Sequence, residues 1–334
     1  ESSELRRHFG AFRGGGDVDF GYGSTEGYAP LRERIQHMLE ERMIAVEPGG
    51  LLLTNGANHA LDLVIRQFLE PGDTVFVDEP GYYPLFAKLT LAKVRMVGVR
   101  RAPDGPDLED LHQKLPLHRP KLFFTQSQAH NPTGTSLTPA VAFALVQASE
   151  EWGFRIVEDD AFGDIVPASL PRLAALGRLD RVIHVGSFSK TLSASIRCGY
   201  VAARADWIEG LVDLQVATNF GGPSPIASQI VVSVLHDGSY RKHLAALRPR
   251  LARRRREVAA QLRGMGIEPW IEPRGGFYLW CRLPGGRDAA DVARFALREK
   301  VVLAPGNVFS AGQTAPDWMR FNVTQMGDRK LPTV

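Results

Sequence analysis

The most informative part of the chain is Ser187-Phe188-Ser189-Lys190-Thr191, which follows an apolar run at residues 181–185 and precedes Arg197-Cys198-Gly199. A lysine between small hydroxyl residues, at the end of an apolar strand, is unusual for a structural lysine, because a buried ammonium group is costly unless it is paired or chemically used. One use fits the whole set. The amine forms a Schiff base with an aldehyde cofactor, while the hydroxyls and the arginine hold that cofactor's phosphate. A surface lysine in a serine-rich loop is the alternative.

Three other segments supply what a pyridoxal phosphate site needs. Glu158-Asp159-Asp160 ends a second apolar run, where Asp159 can pair with a pyridine nitrogen; a helix N-cap is the alternative. In the turn Asn131-Pro132-Thr133-Gly134, the Asn131 amide can donate to the cofactor's phenolic oxygen, although Asn-Pro turns are common. Thr54-Asn55-Gly56-Ala57-Asn58 links a strand to a helix, and its glycine and free amides suit a phosphate.

In this order, the four segments resemble the fold-type I, class I/II aminotransferase family, from about Tyr22 to Met326. The resemblance implies pyridoxal 5′-phosphate as cofactor and an amino acid and a 2-oxo acid as substrates. It implies that Lys190 forms the Schiff base and shuttles the substrate α-proton, and that Asp159 keeps the ring nitrogen protonated.

The same resemblance implies the remaining site residues. Arg320, with Asn131, is implied to bind the substrate carboxylate, and Tyr22 to reach the phosphate bound by the other subunit of a homodimer. No metal ligand is expected. The cofactor contacts implied within one chain are Gly56, Ala57, Asn58, Tyr82, Asn131, Asp159, Phe162, Ser187, Ser189, Lys190 and Arg197.

The alternation of short apolar runs with amphipathic stretches predicts an α/β fold with a largely parallel sheet that is covered on both faces. With the resemblance, we expect a fold-type I large domain at residues 20–235, with a mostly parallel seven-stranded sheet. A smaller α+β domain is expected from residues 1–19 and 236–334. The predicted strands are Leu51–Thr54, Thr74–Val77, Val94–Val99, Lys121–Thr125, Arg155–Val157, Arg181–Val185 and Cys198–Ala202.

The last third of the chain has a different pattern. His243–Gly264 predicts a long basic helix, in which Pro249 favours a kink. The run Arg253-Arg254-Arg255-Arg256 favours a solvated helix face over a nucleic-acid site, because aromatic residues are not interleaved with it. A strand at Gly276–Arg282, a helix at Ala289–Arg298 and a strand at Val301–Ala304 are expected next.

Two departures from the family pattern stand out. The family usually has a tyrosine three residues after the ring-nitrogen aspartate, where this chain has Phe162. One hydrogen bond to the phenolic oxygen is therefore missing, which bears on the efficiency of amino transfer. The segment before Tyr22 is also short compared with the substrate-gating segment of many aminotransferases.

The composition is that of an ordinary globular protein. Hydrophobic residues make up 44% and charged residues 23%, which argues against disorder, collagen and coiled coil. The net charge of +3 demands no nucleic-acid partner, and no apolar run reaches the ~18 residues that a membrane span needs. With only two cysteines, Cys198 and Cys281, a disulfide scaffold is excluded and a reducing, cytoplasmic compartment is expected.

A second hypothesis is a regulator. The segments 186–195 and 126–131 look closest to the aminotransferase-like domains of MocR/GntR-type transcription factors. In that case the chain binds pyridoxal phosphate and senses an amine or amino acid with little turnover. It contacts no nucleic acid itself, and a winged-helix domain upstream of Glu1 binds the DNA. The coding sequence upstream of Glu1 is the cheapest way to distinguish the two.

Overall fold

The computed structural model describes residues 21–167 and 170–326. Residues 1–19, assigned to the smaller domain from sequence, lie outside this part of the chain. The α-helices are α1 (Ala29–Glu40), α2 (Ala57–Phe68), α3 (Tyr83–Leu91), α4 (Leu108–His118), α5 (Pro139–Trp152), α6 (Leu173–Arg181), α7 (Ala205–Asn219), α8 (Pro225–His236), α9 (Ser239–Gly264) and α10 (Ala289–Arg298). The strands are β1 (Leu51–Thr54), β2 (Thr74–Glu79), β3 (Arg95–Ala102), β4 (Gly105–Pro106), β5 (Leu122–Thr125), β6 (Arg155–Asp159), β7 (Val182–Ser187), β8 (Gly199–Ala202), β9 (Glu268–Pro269), β10 (Tyr278–Arg282), β11 (Ala304–Pro305) and β12 (Trp318–Asn322).

The larger sheet has the order β1-β8-β7-β6-β5-β2-β3-β4. Its central strands β7, β6, β5, β2 and β3 are parallel to one another, whereas β8 and β4 run antiparallel to their neighbours, and β1 pairs antiparallel with β8. All seven strands predicted from the sequence are present. The prediction of seven was nevertheless one short, because β4 has only two residues and returns from β3 through a tight turn that carries no apolar pattern.

Helices cover both faces of this sheet. Successive residues of the strands enter different buried clusters, as Phe123 and Phe124 do in β5. The helix α2 contributes Ala60, Leu61, Val64 and Ile65 to one of these clusters, as the i, i+3, i+4 spacing predicts. Burial of the strands on both faces explains why they are continuous apolar runs rather than alternating ones.

The parallel strands bring polar residues from several segments to one edge of the sheet. Asp159 is the last residue of β6, Ser187 is the last residue of β7, and Gln126 directly follows β5. In open parallel sheets the carboxyl ends of the strands form the crevice in which ligands bind. Asp159 and Ser187, which were predicted from separate segments, therefore lie at the same edge of the sheet as Gln126.

A second, four-stranded sheet has the order β11-β12-β10-β9 and packs with α9 and α10 around its own apolar cluster. Helix α9 begins at Ser239, four residues before the predicted start, and continues through Pro249. The strand predicted at Val301–Ala304 is wrong, since only Ala304–Pro305 pairs with β12. The limits of the two predicted domains stay a prediction.

The basic run of α9 is only partly solvated, contrary to the sequence interpretation. Arg255 is buried, and its Nη1 donates to the carbonyl oxygen of Gly276 at 2.7 Å. Arg254 donates to the carbonyl oxygen of Met326 at 2.8 Å. These arginines therefore fix the helix against the second sheet, while Arg253 and Arg256 are exposed. Across the described ranges, no helix has the length and apolar character required to cross a membrane.

Candidate active site

A cavity of about 220 Å³ lies at the carboxyl edge of the large sheet, where the second sheet meets it. Eleven of the residues proposed from the sequence line this cavity. They come from the N-terminus of α2, the start of α3, the loop after β5, the end of β6, the segment after β7, and β12. They are Ala57, Asn58, Tyr82, Asn131, Asp159, Phe162, Ser187, Ser189, Lys190, Arg197 and Arg320.

Gly56 does not line the cavity but shapes its wall. It is the N-cap residue of α2, with φ of 80° and ψ of 169°, which only glycine adopts readily. A Cβ at this position would lie 3.2 Å from Nη2 of Arg197. The same Nη2 donates to the carbonyl oxygen of Asn55 at 3.0 Å. The glycine thus lets an arginine lie directly against the N-terminus of a helix, where two sources of positive potential coincide.

Asp159 is buried and held by two donors. Its Oδ2 accepts from Nε2 of Gln126 at 2.8 Å, and its Oδ1 accepts from the backbone N–H of Ala161 at 3.1 Å. Burial raises the pKa of Asp159 to about 6, and the hydrogen bond from Gln126 opposes this rise. A buried carboxylate of this kind is stabilised by a cationic partner in the cavity.

Asn131 and Arg320 are joined directly. Nη1 of Arg320 donates to Oδ1 of Asn131 at 2.8 Å. The guanidinium lies 4.2 Å from the centre of the Tyr278 ring and 4.7 Å from that of Phe309, so it contacts two aromatic rings. Burial lowers the pKa of Arg320 from its ordinary value, which leaves it charged but in need of an anion.

Lys190 lines the cavity, but its surroundings differ from the sequence expectation. The argument for a buried ammonium group was wrong, because the residue is exposed in the single chain. Ser187 and Ser189 are half-buried, and the backbone N–H of Ser189 donates to Oγ of Ser187 at 3.2 Å. The lysine therefore lies in a turn after β7, exposed to solvent and lining the cavity.

Tyr82 and Phe162 supply aromatic walls. Burial, followed by the charge of Asp159, raises the pKa of the Tyr82 hydroxyl well above its usual range, so Tyr82 stays neutral. Phe162 is buried, with its ring centre 5.4 Å from that of Phe277 and 5.7 Å from that of Tyr278. Both rings offer apolar surface to a planar ligand.

Tyr22 lies outside the cavity of its own chain. It is 83% exposed, and its ring centre lies 5.1 Å from that of Phe220, which is itself exposed. The structure therefore does not bring Tyr22 together with the other predicted residues within one chain.

The sequence interpretation missed several residues that line the cavity, namely Tyr83, Pro84, Gln126, Ala161, Ala194 and Tyr278. Gln126 could have been predicted from the sequence, because it directly follows a predicted strand at the edge where the site forms. Ala161 lies two residues after Asp159 and carries no polar side chain. Tyr278 belongs to the second sheet, and nothing in the local sequence indicates that its strand faces the large sheet.

The residues present fit a planar, phosphate-bearing cofactor. Three buried polar atoms at the cavity have no hydrogen-bond partner among the described residues: Oδ1 of Asn58, Oγ of Ser189 and Nε of Arg320. Buried polar atoms are normally paired, so these three are suited to a ligand. Ser189 lines the same cavity as Arg197 and the N-terminus of α2, where a phosphate is favoured, and Arg320 reaches this cavity from β12 of the second sheet.

Comparison with known proteins agrees with this geometry. The family model for aminotransferases of class I and II matches residues 12–334. The 2-aminoadipate transaminase of Thermus thermophilus is 33% identical over 92% of this chain and 77% of its own length. The HTH-type transcriptional regulator YdcR of Escherichia coli is 31% identical over 92% of this chain and 67% of its own length.

Among solved structures, the crystal structure of LysN, an alpha-aminoadipate aminotransferase from Thermus thermophilus, superposes with a TM-score of 0.87. It is 30% identical to this chain, and the match covers 96% of this chain and 83% of LysN. The match of the family model over nearly the whole length, together with these relatives, settles the family. The chain is a member of the class I and II aminotransferases, with their fold-type I architecture.

Proposed function

We propose that the cavity binds pyridoxal 5′-phosphate and that the protein transfers an amino group between an amino acid and a 2-oxo acid. The observation that carries this proposal is the joint presence, in one cavity, of an amine, a buried carboxylate and an aromatic-packed guanidinium: Lys190, Asp159 and Arg320. When bound, this cofactor supplies an aldehyde that reacts with amines and a ring that withdraws electrons. In the relative LysN, the crystal structure holds N-(5'-phosphopyridoxyl)-L-leucine.

The phosphate is assigned to the wall formed by α2 and the turn after β7. Ala57 and Asn58 present the first N–H groups of a twelve-residue helix, which favour an anion, and Gly56 is the N-cap residue of that helix. Ser187 and Ser189 add hydroxyl donors, and Arg197 adds a full positive charge. The close approach of Gly56 and Arg197 places a guanidinium charge beside the N-terminus of α2, so both contribute positive potential to this wall.

Tyr82 and Asp159 are the residues that would hold the ring of the cofactor. The Asp159 carboxylate, anchored by Gln126 and the N–H of Ala161, would pair with the pyridine nitrogen and keep it protonated. Because a buried carboxylate gains more from a cation than an exposed one does, this pairing offsets the cost of burying Asp159. The Asn131 amide would donate to the phenolic oxygen of the ring.

The substrate is assigned to the side of the cavity that the second sheet provides. Arg320 binds the substrate carboxylate through its planar guanidinium, with Tyr278 and Phe309 holding that plane. This orients the α-carbon of the substrate toward Lys190. The Lys190 Nζ accepts the proton from that carbon and returns it at the next stage, so one residue acts as base and then as acid.

We also propose a homodimer in a reducing, cytoplasmic compartment. Tyr22 and Phe220 form an exposed aromatic pair, which is typical of surfaces that meet a partner. In a symmetric dimer, Tyr22 would reach the phosphate of the other subunit. Cys198 and Cys281 are both buried free thiols, which agrees with a reducing compartment.

A second candidate function is supported by the identity of 31% to the regulator YdcR. In this case the same cavity binds pyridoxal phosphate and senses an amine or amino acid with little turnover. Both functions predict a yellow protein whose absorbance changes when an amine binds. They differ in whether a 2-oxo acid is released.

The test is an absorbance spectrum of the protein loaded with pyridoxal phosphate, followed by a panel of amino acids with a 2-oxo acid acceptor. Transamination is expected to deplete one amino acid over many turnovers and to produce its 2-oxo acid. A spectral change without release of product supports the sensor instead. A protein that does not bind pyridoxal phosphate contradicts both.

A further inference from the structure

Gln126 makes two hydrogen bonds through the two ends of its side-chain amide. Nε2 donates to Oδ2 of Asp159 at 2.8 Å, and Oε1 accepts the backbone N–H of Asn131 at 2.8 Å. The orientation of the amide is fixed chemically, because a backbone N–H can only donate and must therefore meet the oxygen. The nitrogen end is thereby turned toward Asp159.

The backbone of Gln126 is itself anchored in a buried ion pair. Its N–H donates to Oδ2 of Asp78 at 3.1 Å, and its carbonyl oxygen accepts from Nη2 of Arg101 at 2.8 Å. Arg101 and Asp78 are in turn paired at 3.0 Å, with both side chains almost fully buried. A residue held at its backbone by such a pair presents its side chain in one place.

The two residues that Gln126 contacts are assigned different tasks in the proposed reaction. Asp159 is assigned to the ring nitrogen of the cofactor, while Asn131 is assigned to its phenolic oxygen and is joined to Arg320. We propose that Gln126 is a positioning residue that fixes the ring-nitrogen carboxylate relative to the Asn131–Arg320 pair. This inference rests on the proposed function and names a residue that the motifs of the sequence did not indicate.

The hydrogen bond from Gln126 also controls the charge of Asp159. Burial raises the pKa of Asp159 to about 6, and donation by Gln126 favours the ionised form. Loss of this donor should therefore allow Asp159 to take up a proton at higher pH. The other titratable or charged groups near Asp159 or in the cavity are Asp78, Tyr82, Tyr83, His130, Asp160, His184, Lys190, Arg197, Tyr278 and Arg320.

Two substitutions separate the effect of the Gln126 hydrogen bonds from the effect of side-chain size. Gln126→Met keeps the length of the side chain and removes both hydrogen bonds. Gln126→Glu keeps an acceptor for the Asn131 N–H, but it donates to Asp159 only when the new carboxyl group is protonated. Gln128→Met is the matched control, because Gln128 is a buried glutamine two residues away that does not line the cavity.

The measurement is the Kd for pyridoxal 5′-phosphate as a function of pH, with KM and kcat for the best amino acid. Gln126→Met is expected to weaken cofactor binding by roughly ten- to a hundred-fold, as for a lost hydrogen bond to a charged group. As the pH is lowered, Gln126→Met should also lose cofactor binding at a higher pH than the parent does. KM for the amino acid should rise, because Asn131 loses its anchor.

Gln126→Glu should show the opposite pH dependence. At low pH the protonated carboxyl group donates to Asp159 and restores binding close to that of the parent. As the pH rises the proton is lost and two carboxylates face each other, so binding should fall toward or below that of Gln126→Met. A purely structural role would lower binding equally at every pH.

The outcomes distinguish the inference from the proposed function. If the parent binds the cofactor and transaminates, but Gln126→Met and Gln126→Glu behave like Gln128→Met at every pH, the positioning role is overturned and the proposed function stands. If the parent does not bind the cofactor, both are overturned. If Gln126→Met does not fold, the pH dependence of Gln126→Glu decides by itself.

Discussion

Nη1 of Arg320 donates to Oδ1 of Asn131 at 2.8 Å, which joins two residues that lie 189 positions apart in the chain. Arg320 belongs to β12 of the four-stranded sheet, and Asn131 lies in the loop after β5 of the eight-stranded sheet. Because Oδ1 of Asn131 accepts this bond, the donor that we assign to the cofactor is Nδ2. One contact thus couples the residue assigned to the substrate with a residue assigned to the cofactor.

Replacement of Arg320 by alanine should weaken amino-acid binding while leaving cofactor binding nearly unchanged. Without the guanidinium, the desolvated carboxylate of the amino acid has no partner, which costs roughly 2–5 kcal/mol of binding free energy. The binding is followed by titrating the cofactor-loaded protein with an amino acid and recording the visible absorbance. Arg282→Ala is the control, because Arg282 lies on the adjacent strand but is exposed and paired with Asp317. Equal titrations for Arg320→Ala and the parent would remove Arg320 from the site.

The cofactor should be attached to Lys190. Treatment of the loaded protein with borohydride, which reduces carbon–nitrogen double bonds, should fix the cofactor irreversibly on the peptide that contains Lys190. Lys190→Ala should retain no label after the same treatment, because no other lysine lines the cavity in the described part of the chain. Mass spectrometry of the digested protein locates the label. A label on any other lysine contradicts the assignment of the whole site.

The residues that could be predicted from the sequence share one property: each lies in a short segment whose local chemistry is unusual. Lys190 with its flanking serines, and Asp159 at the end of an apolar run, are examples. The seven long strands were predictable for a related reason, since burial on both faces makes them continuous apolar runs. A residue could be predicted from the sequence where the residues next to it in the chain already indicate its function.

The residues that were missed depend on contacts between distant segments. Tyr278 faces Arg320 only because β10 pairs with β12, and Gln126 faces Asp159 only because β5 and β6 are neighbours. The burial of Arg255, which contradicts the predicted solvated face, likewise requires the second sheet to pack on α9. Such tertiary contacts leave no period or motif in the sequence around them, and the one available signal was the position of Gln126 directly after a predicted strand.

Gly56 provides a test of the phosphate wall. Gly56→Ala should lower the free energy of unfolding by about 1–3 kcal/mol, because alanine is strained at its φ and ψ. It should also weaken cofactor binding, since the new methyl group would contact Arg197. Gly72→Ala is the control: Gly72 has φ of 92°, but a Cβ there meets no atom within 4 Å. Unfolding by urea and the Kd for pyridoxal phosphate separate the two effects. If Gly56→Ala binds the cofactor as well as Gly72→Ala does, the wall does not hold the phosphate.

In the cofactor-free protein, Asp159→Asn should be more stable relative to the parent at neutral pH than at low pH, and it should weaken cofactor binding. The pKa of Asp159 is raised from 3.8 to about 6, so the folded protein holds this proton more tightly than the unfolded chain. The parent therefore loses stability as the pH rises from about 4 to 6, and the full cost, roughly 3 kcal/mol, is present above pH 6. An asparagine offers one acceptor to the two donors Gln126 Nε2 and Ala161 N–H, which is a cost at every pH. The stability of Asp159→Asn relative to the parent should therefore rise by roughly 2–3 kcal/mol between pH 4 and pH 7.

The free energy of unfolding is measured in urea at several pH values, without cofactor. Asp213→Asn, at an exposed position of α7, serves as the control and should show no such gain. A gain of the same size at pH 4 and pH 7 would mean that the charge of Asp159 is not the cause. Unchanged cofactor binding would separate Asp159 from the ring nitrogen.

Phe162→Tyr should lower the apparent pKa of the cofactor-loaded protein, measured by titrating its visible absorbance. A donor to the phenolic oxygen draws negative charge from it, and that charge is what stabilises a proton on the neighbouring Lys190 nitrogen. With phenylalanine at position 162, Asn131 is the side-chain donor that we assign to this oxygen, so the proton is held to higher pH. A tyrosine hydroxyl should restore a second donor and shift the titration downward, with each pKa unit equal to about 1.36 kcal/mol.

Phe277→Tyr is the matched control for this change. The ring of Phe277 packs against Phe162 at 5.4 Å but does not line the cavity, so a hydroxyl there adds polarity without reaching the cofactor. A shift seen only with Phe162→Tyr assigns the effect to a hydrogen bond at the phenolic oxygen. If the titration is unmoved or moves upward, Phe162 does not face that oxygen. Phe162 would then only pack against Phe277 and Tyr278. The alignment of the Asp159 segment with the family pattern would be shifted and therefore wrong.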